Sequence, residues 1–347
     1  MIAIIGAGLT GLLIANKLKK SGREVCVIEA RNRIGGRIYT VGDGTPVEMG
    51  ATWFGPQHQN LISLINELGI PFFEQYMEGK TFFEPFATTP PQQIEIPAQE
   101  PSFRVAGGTS QIIKALAEGL TPGELHLNQP VRALDFQGHS ARVKTDQLDI
   151  EADVVISTLP PALLVSEVSI TPGLPDNLVD IARNTHTWMQ DSIKAAVIYN
   201  SPFWRNQKLS GTIFSNAGPL NEFYDHTDYT TSKFALCGFI NEAFFHLSPN
   251  EREGKVRDQL CRTFGKQGTE YSKYKELLWA NEKHTKHSQS NGLYPHQNSG
   301  HGVYQNSWYD GKLIIGGTET SPVYGGYMEG AVYSATSIIN KIIQLFI

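Results

Sequence analysis

Short apolar runs alternate with a helical apolar stripe over the first 30 positions. Residues 2–5 form a continuous apolar run, as in a buried parallel strand. A helical apolar face follows over residues 9–18 and ends at two lysines and Gly22. A second apolar run over residues 25–28 ends at Glu29. This order predicts a strand–helix–strand unit at the N-terminus.

The rest of the chain continues to mix helical and strand patterns. Residues 85–101 contain five prolines and predict loop and edge strand, while the polar residues 286–311 predict one long loop. Helical periodicity or capping signals occur at 60–68, 109–118, from 248 and from 327 to the end. Strand patterns occur at 131–136, 141–145, 148–150, 154–157, 193–199, 210–215, 234–241 and 312–315. We therefore predict an α/β fold.

Length and charge restrict the class of protein. A chain of 347 residues suggests two domains. A net charge of −5 without a polybasic run argues against nucleic acid and against an anionic membrane surface. Three cysteines without metal spacing favour a reducing compartment, and neither a leader nor an apolar run of about 20 residues is evident. We expect a cytoplasmic protein without a membrane anchor.

The glycines of the opening unit point to a dinucleotide. Gly6, Gly8 and Gly11 follow the first strand and open the helix, where they allow a tight turn, backbone approach to a pyrophosphate, and close helix–strand packing. Glu29 lies 18 residues beyond Gly11, where a carboxylate accepts hydrogen bonds from ribose hydroxyls. A purely structural glycine turn would not need this acid.

A second glycine pair follows directly. Residues 31–37 read Arg-Asn-Arg-Ile-Gly-Gly-Arg, a loop of bare backbone amides flanked by guanidinium groups suited to phosphate. An ordinary basic turn is the alternative. A nicotinamide-binding unit does not require this second element.

The run from Glu29 to Arg37 resembles the flavin-containing amine oxidases, which include monoamine, polyamine and L-amino acid oxidases. Further segments are similar to that family at 50–56, 105–111, 130–131, 155–161, 192–194, 202–205, 316–320 and 325–331. The resemblance covers nearly the whole chain. It implies a Rossmann-type FAD-binding domain with a substrate domain built on an antiparallel sheet.

The resemblance also implies the cofactor residues. It places Met328 at the N(1)–C(2)=O edge of the flavin, at the start of the last helix, and Thr318 and Glu319 near the ribityl chain and phosphate. Trp279 matches a tryptophan before a flavin-facing loop, although an ordinary apolar strand residue is nearly as good a reading. The full FAD set is Gly6, Gly8, Thr10, Gly11, Glu29, Ala30, Arg31, Gly36, Arg37, Gly50, Ala51, Thr52, Trp53, Val131, Thr158, Trp279, Gly317, Thr318, Glu319, Tyr327 and Met328.

Lys194 is the first candidate catalytic residue. Period-two alternation places it on one strand face with Ala196 and Ile198. A buried lysine is costly unless it is paired or functional, so the pattern alone balances a functional lysine against an edge strand with Lys194 in water. The resemblance favours function, because the family lysine holds a water against the flavin N(5) and assists reaction with dioxygen.

Tyr327 is the second candidate. The resemblance matches it to one of the two tyrosines that flank the substrate amine in monoamine oxidases, whereas without the motif a core aromatic would be the better interpretation. The segment that supplies the first tyrosine in those enzymes also carries the cysteine that bonds to the flavin. In this chain residues 287–294 contain no cysteine, which predicts dissociable FAD. Tyr294 and Tyr304 are the candidates for the missing aromatic partner.

His284, His287, His296 and His301 are spaced irregularly, so we expect no metal site.

The interval from Gly55 to Gly107 is short for the family, so most of the helical roof of the substrate domain is expected to be missing. We predict FAD-binding segments at 1–73, 104–184 and 288–347, and substrate-domain segments at 74–103 and 185–287. The expected activity is amine oxidation by hydride transfer to FAD, with dioxygen as the second substrate and hydrogen peroxide as product. The alternatives are a flavin desaturase, a renalase-like NAD(P)H-oxidising flavoprotein, and a non-catalytic FAD scaffold.

Overall fold

The computed structural model describes residues 1–42, 44–97, 99–286 and 292–345. A six-stranded sheet contains the predicted N-terminal unit. Its strands carry numbers in chain order, and from one edge of the sheet to the other they are β20 (Ser307–Trp308), β21 (Leu313–Ile315), β13 (Val154–Ser157), β1 (Ile2–Ile5), β2 (Val25–Ile28) and β9 (Leu125–His126). Neighbouring strands are parallel except for β20 and β21.

Helices pack against this sheet. Within the described residues, the α-helices are α1 (Leu9–Lys20), α2 (Gln59–Glu67), α3 (Ser110–Ala117), α4 (Pro161–Glu167), α5 (Asp176–Arg183), α6 (Phe203–Asn206), α7 (Pro249–Phe264) and α8 (Met328–Leu345). Ile2 and Ile4 of β1 face a core shared with α1, α2, α3 and α8. Ala3 and Ile5 face the opposite core, which includes residues of α4 and α5. The continuous apolar strand pattern therefore reflects burial on both faces.

A seven-stranded sheet forms the second large layer. In spatial order it contains β19 (Lys273–Leu278), β15 (Ile193–Tyr199), β18 (Phe234–Ile240), β17 (Leu220–Asp225), β16 (Leu209–Ser215), β6 (Lys80–Glu84) and β7 (Gln92–Ile94). The sheet is antiparallel except where β16 runs parallel to β6. One face packs against Val256, Leu260 and Phe264 of α7. β15 lies between β18 and β19, so Lys194 is not on an edge strand.

Smaller sheets complete the molecule. A four-stranded sheet has the order β12 (Asp149–Ala152), β11 (Ala141–Lys144), β10 (Ala133–Asp135) and β14 (Ser169–Thr171). Two ribbons pair β3 (Thr40–Val41) with β4 (Val47–Glu48), and β5 (Phe72–Glu74) with β8 (Phe103–Val105). The 3₁₀ helices are Glu242–Phe244, Gly265–Thr269, Trp279–Asn281, Gly302–Gln305 and Thr318–Thr320.

The prediction of one long loop at 286–311 is wrong in part. Gly302–Gln305 is a 3₁₀ helix whose first turn is capped by His301, because its Nδ1 accepts the Val303 amide at 3.2 Å. β20 then adds antiparallel to the edge of β21. Residues 287–291 lie outside the described part of the chain. Both elements are too short to produce a periodic pattern.

The two large sheets follow the two predicted sets of segments. All strands of the six-stranded sheet fall within the residues assigned to FAD binding, and all strands of the seven-stranded sheet fall within those assigned to the substrate domain. The boundaries themselves stay a prediction. Among the described residues, no helix combines the length and the apolar character needed to cross a membrane.

Candidate functional site

A cavity of about 450 Å³ lies where the carboxyl ends of β1 and β2 meet strands β15 and β18 of the larger sheet. Ligands of open α/β sheets bind at such strand ends. Of the 22 residues predicted from the sequence, 19 lie on its wall. They are Gly6, Gly8, Thr10, Glu29, Ala30, Arg31, Gly36, Arg37, Gly50, Ala51, Thr52, Trp53, Val131, Thr158, Lys194, Gly317, Thr318, Tyr327 and Met328.

The N-terminus of α1 opens onto this cavity. Gly8 precedes the helix, no described side chain caps its first amides, and its first turn holds no acidic residue. The unpaired amides and the positive end of the helix dipole therefore favour an anion at the cavity wall. A Cβ atom placed on Gly8 would meet no heavy atom of the described residues within 4 Å. Backbone can thus approach a phosphate closely there.

Glu29 lies beside this helix start. Its side chain is buried, and one carboxylate oxygen accepts the Ala7 amide at 2.8 Å. The other oxygen accepts the Arg31 amide at 2.9 Å. Each carboxylate oxygen can accept a second hydrogen bond, so the group suits a hydroxyl donor inside the cavity. This arrangement fits the predicted ribose contact.

Arg37 reaches the same cavity and is held from behind by Glu319. The Arg37 Nη2 donates to Glu319 Oε2 at 2.9 Å, and Nη1 donates to the other carboxylate oxygen and to the Trp188 carbonyl. Glu319 is almost completely buried and does not lie on the cavity wall. Its predicted place near the cofactor is therefore indirect, as the carboxylate that orients the guanidinium of Arg37.

Replacing Glu319 with glutamine is expected to lower the free energy of unfolding by about 2 kcal/mol, because a charge-assisted pair becomes a neutral hydrogen bond beside a partly buried guanidinium. Urea denaturation of the apoprotein measures this. The matched control is Asp149→Asn, which breaks a similar pair with Arg142 at the surface, where little change is expected. Equal losses in both variants would contradict a special role for the Arg37–Glu319 pair.

Lys194 enters the cavity from β15 and is 1% exposed. Its Nζ donates to Thr52 Oγ1 at 2.9 Å and to the Gly50 carbonyl at 3.2 Å. The ammonium also lies 4.2 Å from the ring centroid of Trp53 and 4.3 Å from that of Phe239. Hydrogen bonds and aromatic faces thus replace the water that burial removes.

The charges around Lys194 act in opposite directions. Burial lowers the pKa of the Lys194 ammonium, and the nearby groups Cys237, Glu48 and Glu222 raise it. Burial raises the pKa of the Glu48 carboxyl, whereas the Thr109 amide, the Thr40 hydroxyl and Lys194 lower it. Lys194 on the cavity wall and Glu48 behind it therefore each favour the charged form of the other, against the effect of burial.

Trp279 is a supporting residue of this region. It is fully buried in the 3₁₀ helix after β19, away from the cavity wall, and its Nε1 donates to the Met49 carbonyl at 2.7 Å. This bond fixes the backbone just before Gly50. Gly11 is the third predicted residue that does not reach the wall, because it packs against Gly6.

Aromatic rings gather around Tyr327. Tyr327 directly precedes α8, which begins at Met328, one residue later than predicted. Its ring centroid lies 5.6 Å from that of Trp188 and 5.5 Å from that of His296, which stacks on Trp188 at 4.4 Å. His58 adds a further ring at 6.2 Å from Tyr327. Of these residues, Tyr327, Trp188 and His58 line the cavity.

Neither tyrosine considered from the sequence as the partner of Tyr327 occupies that place. Tyr294 is 79% exposed, and Tyr304 is buried in the core with its hydroxyl bonded to Thr185. Trp188 and His296 stand next to Tyr327 instead. Sequence reasoning missed Trp188, His58 and Phe239, which carry no motif and lie far from one another along the chain.

The residues present fit FAD. The α1 amides and Arg37 supply donors for a pyrophosphate, Glu29 suits ribose hydroxyls, and Lys194 with Tyr327 marks the other region of one continuous cavity. Within the described residues, no group of three or more histidine, cysteine or acidic side chains is arranged to hold a metal ion.

Comparison with known proteins gives the same assignment. Residues 9–89 and 86–338 match the family described as flavin containing amine oxidoreductase. A probable flavin-containing monoamine oxidase A of Dictyostelium discoideum is 25% identical over 448 residues, covering 98% of this chain and 97% of that protein. A putrescine oxidase of Kocuria rosea is 24% identical over 399 residues, covering 82% of this chain and 83% of that protein.

A solved structure is similar over the same extent. A triple variant of putrescine oxidase, made to redesign cofactor binding, has a TM-score of 0.85 and 25% identity, covering 99% of this chain and 98% of that one. These findings confirm the family resemblance, the α/β fold class, the flavin cofactor and the enzyme class expected from the sequence. The chain therefore belongs to the flavin containing amine oxidoreductase family.

Proposed function

We propose that the chain is an FAD-dependent amine oxidase that uses dioxygen as electron acceptor and releases hydrogen peroxide. One observation carries the proposal. The buried ammonium of Lys194 lies at the cavity wall, held by Thr52 and Gly50 and shielded by two aromatic rings. A preorganised positive charge at a buried site stabilises negative charge that develops on an oxygen species.

The chain's own residues supply binding and orientation. The amides of α1 and the Arg37 guanidinium would hold the pyrophosphate, and Glu29 would hold the ribose. FAD held by these residues would supply the acceptor for a hydride from the amine α-carbon. Tyr327 and Trp188 present aromatic surface to the substrate, which suits a neutral amine with an apolar substituent. The imine product is then hydrolysed in water.

Hydrogen peroxide release from an amine and amino-acid panel tests the activity. Purified yellow protein is expected to release peroxide with at least one amine and to consume an equal amount of dioxygen. Stopped-flow reduction by NADH and NADPH is the comparison. Rapid reduction by a nicotinamide with no reduction by any amine would replace the proposal with the NAD(P)H-oxidising alternative, and no reduction by either would favour a scaffold.

We also propose that FAD is bound without a covalent link. The three cysteines all belong to the described residues, and none lies on the cavity wall: Cys26 and Cys237 are buried elsewhere, and Cys261 is exposed on α7. Burial raises the pKa of both the Cys26 and the Cys237 thiol to about 11, which keeps them unreactive.

Acid precipitation of the holoprotein tests the mode of attachment. The yellow colour is expected in the supernatant, with a colourless pellet. A yellow pellet after washing would contradict dissociable FAD. Chymotryptic digestion of that pellet and mass analysis of any flavin peptide would then identify the linked residue.

A further inference from the structure

A second, much smaller cavity lies behind Thr52. Its volume is about 20 Å³, and a water molecule needs roughly 10–15 Å³ of such space. Thr52 belongs to the walls of both this cavity and the large one. The small cavity is called the side chamber below, and its other polar wall residues include Glu48, Arg104, Thr109, His226 and Asp228.

The wall of the side chamber carries polar atoms without partners. Arg104 Nε and His226 Nδ1 are buried and have no hydrogen-bond partner at bonding geometry among the described residues. Both residues are 5% exposed. Buried polar groups are costly when unpaired, and ordered water with about three hydrogen bonds is the usual remedy. Two such atoms on residues that line a water-sized space indicate a built water site.

The side chamber also connects to the protein surface. Gly107 and Tyr229 are exposed and belong to its wall, while Glu48 and Thr52 form its inner part. Thr52 Oγ1 accepts from Lys194 and donates to the Gly50 carbonyl at 3.0 Å. Rotation of this hydroxyl hydrogen would point it toward a different acceptor. Because Thr52 lies on the walls of both cavities and bonds Lys194, it is placed to relay a proton between chamber water and the Lys194 side chain.

We propose that the side chamber holds ordered water that returns protons to Lys194 through the Thr52 hydroxyl. The proton-return role rests on the proposed oxidase function. Amine oxidation removes two hydrogens from the amine, one from C–H and one from N–H, and the reduction of dioxygen to hydrogen peroxide consumes two hydrogens. The C–H hydrogen travels as hydride with both electrons, and the N–H hydrogen is released as a proton.

Peroxide formation must therefore take up one proton from elsewhere. Lys194 would give that proton from Nζ and would regain one from chamber water through the Thr52 hydroxyl. The hydroxide left in the chamber would be reprotonated from solvent at the exposed side, beside Gly107 and Tyr229. Glu48 stabilises the recharged ammonium because it is a buried carboxyl whose charge acts on Lys194. His226 is kept neutral, since burial and the neighbouring cations Arg104 and Lys194 hold its pKa well below the usual value. A neutral imidazole can hold water without adding a competing charge.

Crystal structures of the holoprotein test the water site directly. Wild-type protein is expected to show water within hydrogen-bond distance of His226 Nδ1 and Arg104 Nε. His226→Leu removes the polar atom, and the water is expected to be lost. His226→Asn has nearly the same shape as the leucine variant but keeps a polar atom, so water is expected to remain. An empty chamber in wild-type protein whose other buried waters are visible would overturn the site.

Flavin reoxidation measures the proton role. His226→Leu is expected to slow the reaction of reduced enzyme with dioxygen about tenfold, less than the ~100-fold of a directly acting acid, because Lys194 remains. The solvent isotope effect of this step should increase. His226→Asn should restore most of the rate, and flavin reduction by the amine should not change. Thr263→Val, a buried threonine on α7 with its hydroxyl on Gln259, is the control.

The outcomes separate this proposal from the proposed function. Equal reoxidation rates and isotope effects in wild-type protein and both His226 variants would overturn the proton role. If reduced wild-type protein does not react with dioxygen, the oxidase function fails and the proton role fails with it. The water site is still decided by the crystal structures in either case.

Discussion

Replacing Lys194 with methionine is expected to slow the reaction of reduced enzyme with dioxygen on the order of 100-fold, the usual effect of removing one preorganised charge-stabilising group. Methionine keeps the apolar stem between the Trp53 and Phe239 rings but removes the ammonium. Thr52 keeps its hydrogen bond to Gly50, so the cavity wall should hold its shape. Flavin reduction by the amine should change far less. Stopped-flow measurement of the two half-reactions checks this.

The control for this variant lies on the neighbouring strand. Lys273 is exposed on β19 and pairs in register with Ile198 of β15. Lys273→Met makes the same chemical change outside the cavity and should leave both half-reactions unchanged. If Lys194→Met slows reduction and reoxidation to the same extent, the ammonium acts on binding or folding, and its role toward dioxygen is lost.

The convergence of the proposed nucleotide-binding residues on one cavity could be predicted because their contacts are local in sequence. Gly6, Gly8 and Glu29 fall within one strand–helix–strand unit, where backbone geometry alone brings the carboxylate to the glycine loop. Physical reasoning on residue types and spacing was sufficient there. The same reasoning could not predict the contact between Arg37 and Glu319, because Glu319 lies 282 residues away along the chain and orients the guanidinium from the side opposite the cavity.

Lys194 shows where sequence patterns stop. Period-two alternation correctly grouped it with Ala196 and Ile198, which share one core in the structure. Whether that face is exposed to solvent depends on the strand order of the sheet. β15 is an interior strand because it pairs with β18 on one side and β19 on the other, which places Lys194 between Phe239 and Leu277. The local sequence does not determine such pairing. Alternation alone could not decide between a buried functional lysine and a lysine in water on an edge strand, and the family resemblance favoured the first.

The aromatic and polar residues around Lys194 could be predicted even less well from the sequence. Thr52 is 142 residues away from Lys194, and Arg104 and His226 of the side chamber belong to different strands and loops. Each is a single residue without periodicity or motif. Tyr294 and Tyr304 were plausible partners of Tyr327 by residue type, yet exposure and core burial assign them elsewhere. Convergence of isolated residues is a property of the tertiary fold.

Gly11→Ala is expected to destabilise the protein by about 3 kcal/mol and to abolish FAD binding, because overpacking against rigid backbone is costly. An added Cβ would lie 2.0 Å from the Gly6 carbonyl oxygen. Helix α1 would then have to move away from β1, which carries the glycine turn. Alanine favours the helix over glycine by only about 1 kcal/mol, so the clash outweighs this gain and the net change in the free energy of unfolding is a loss.

Gly8→Ala is the matched comparison, because it makes the same chemical change earlier in the glycine loop with a different result. The backbone of Gly8 suits alanine, with φ −80°, and its added Cβ meets no atom of the described residues within 4 Å. The apoprotein should therefore unfold at the wild-type temperature. Affinity for FAD should nevertheless fall by at least about tenfold, since the methyl group occupies space needed for close phosphate approach to backbone amides.

Thermal unfolding of the two apoproteins and fluorescence titration with FAD separate these effects. If Gly11→Ala keeps wild-type stability, the packing of α1 does not depend on the close contact between Gly11 and Gly6. If Gly8→Ala keeps wild-type affinity for FAD, the pyrophosphate does not bind at the N-terminus of α1.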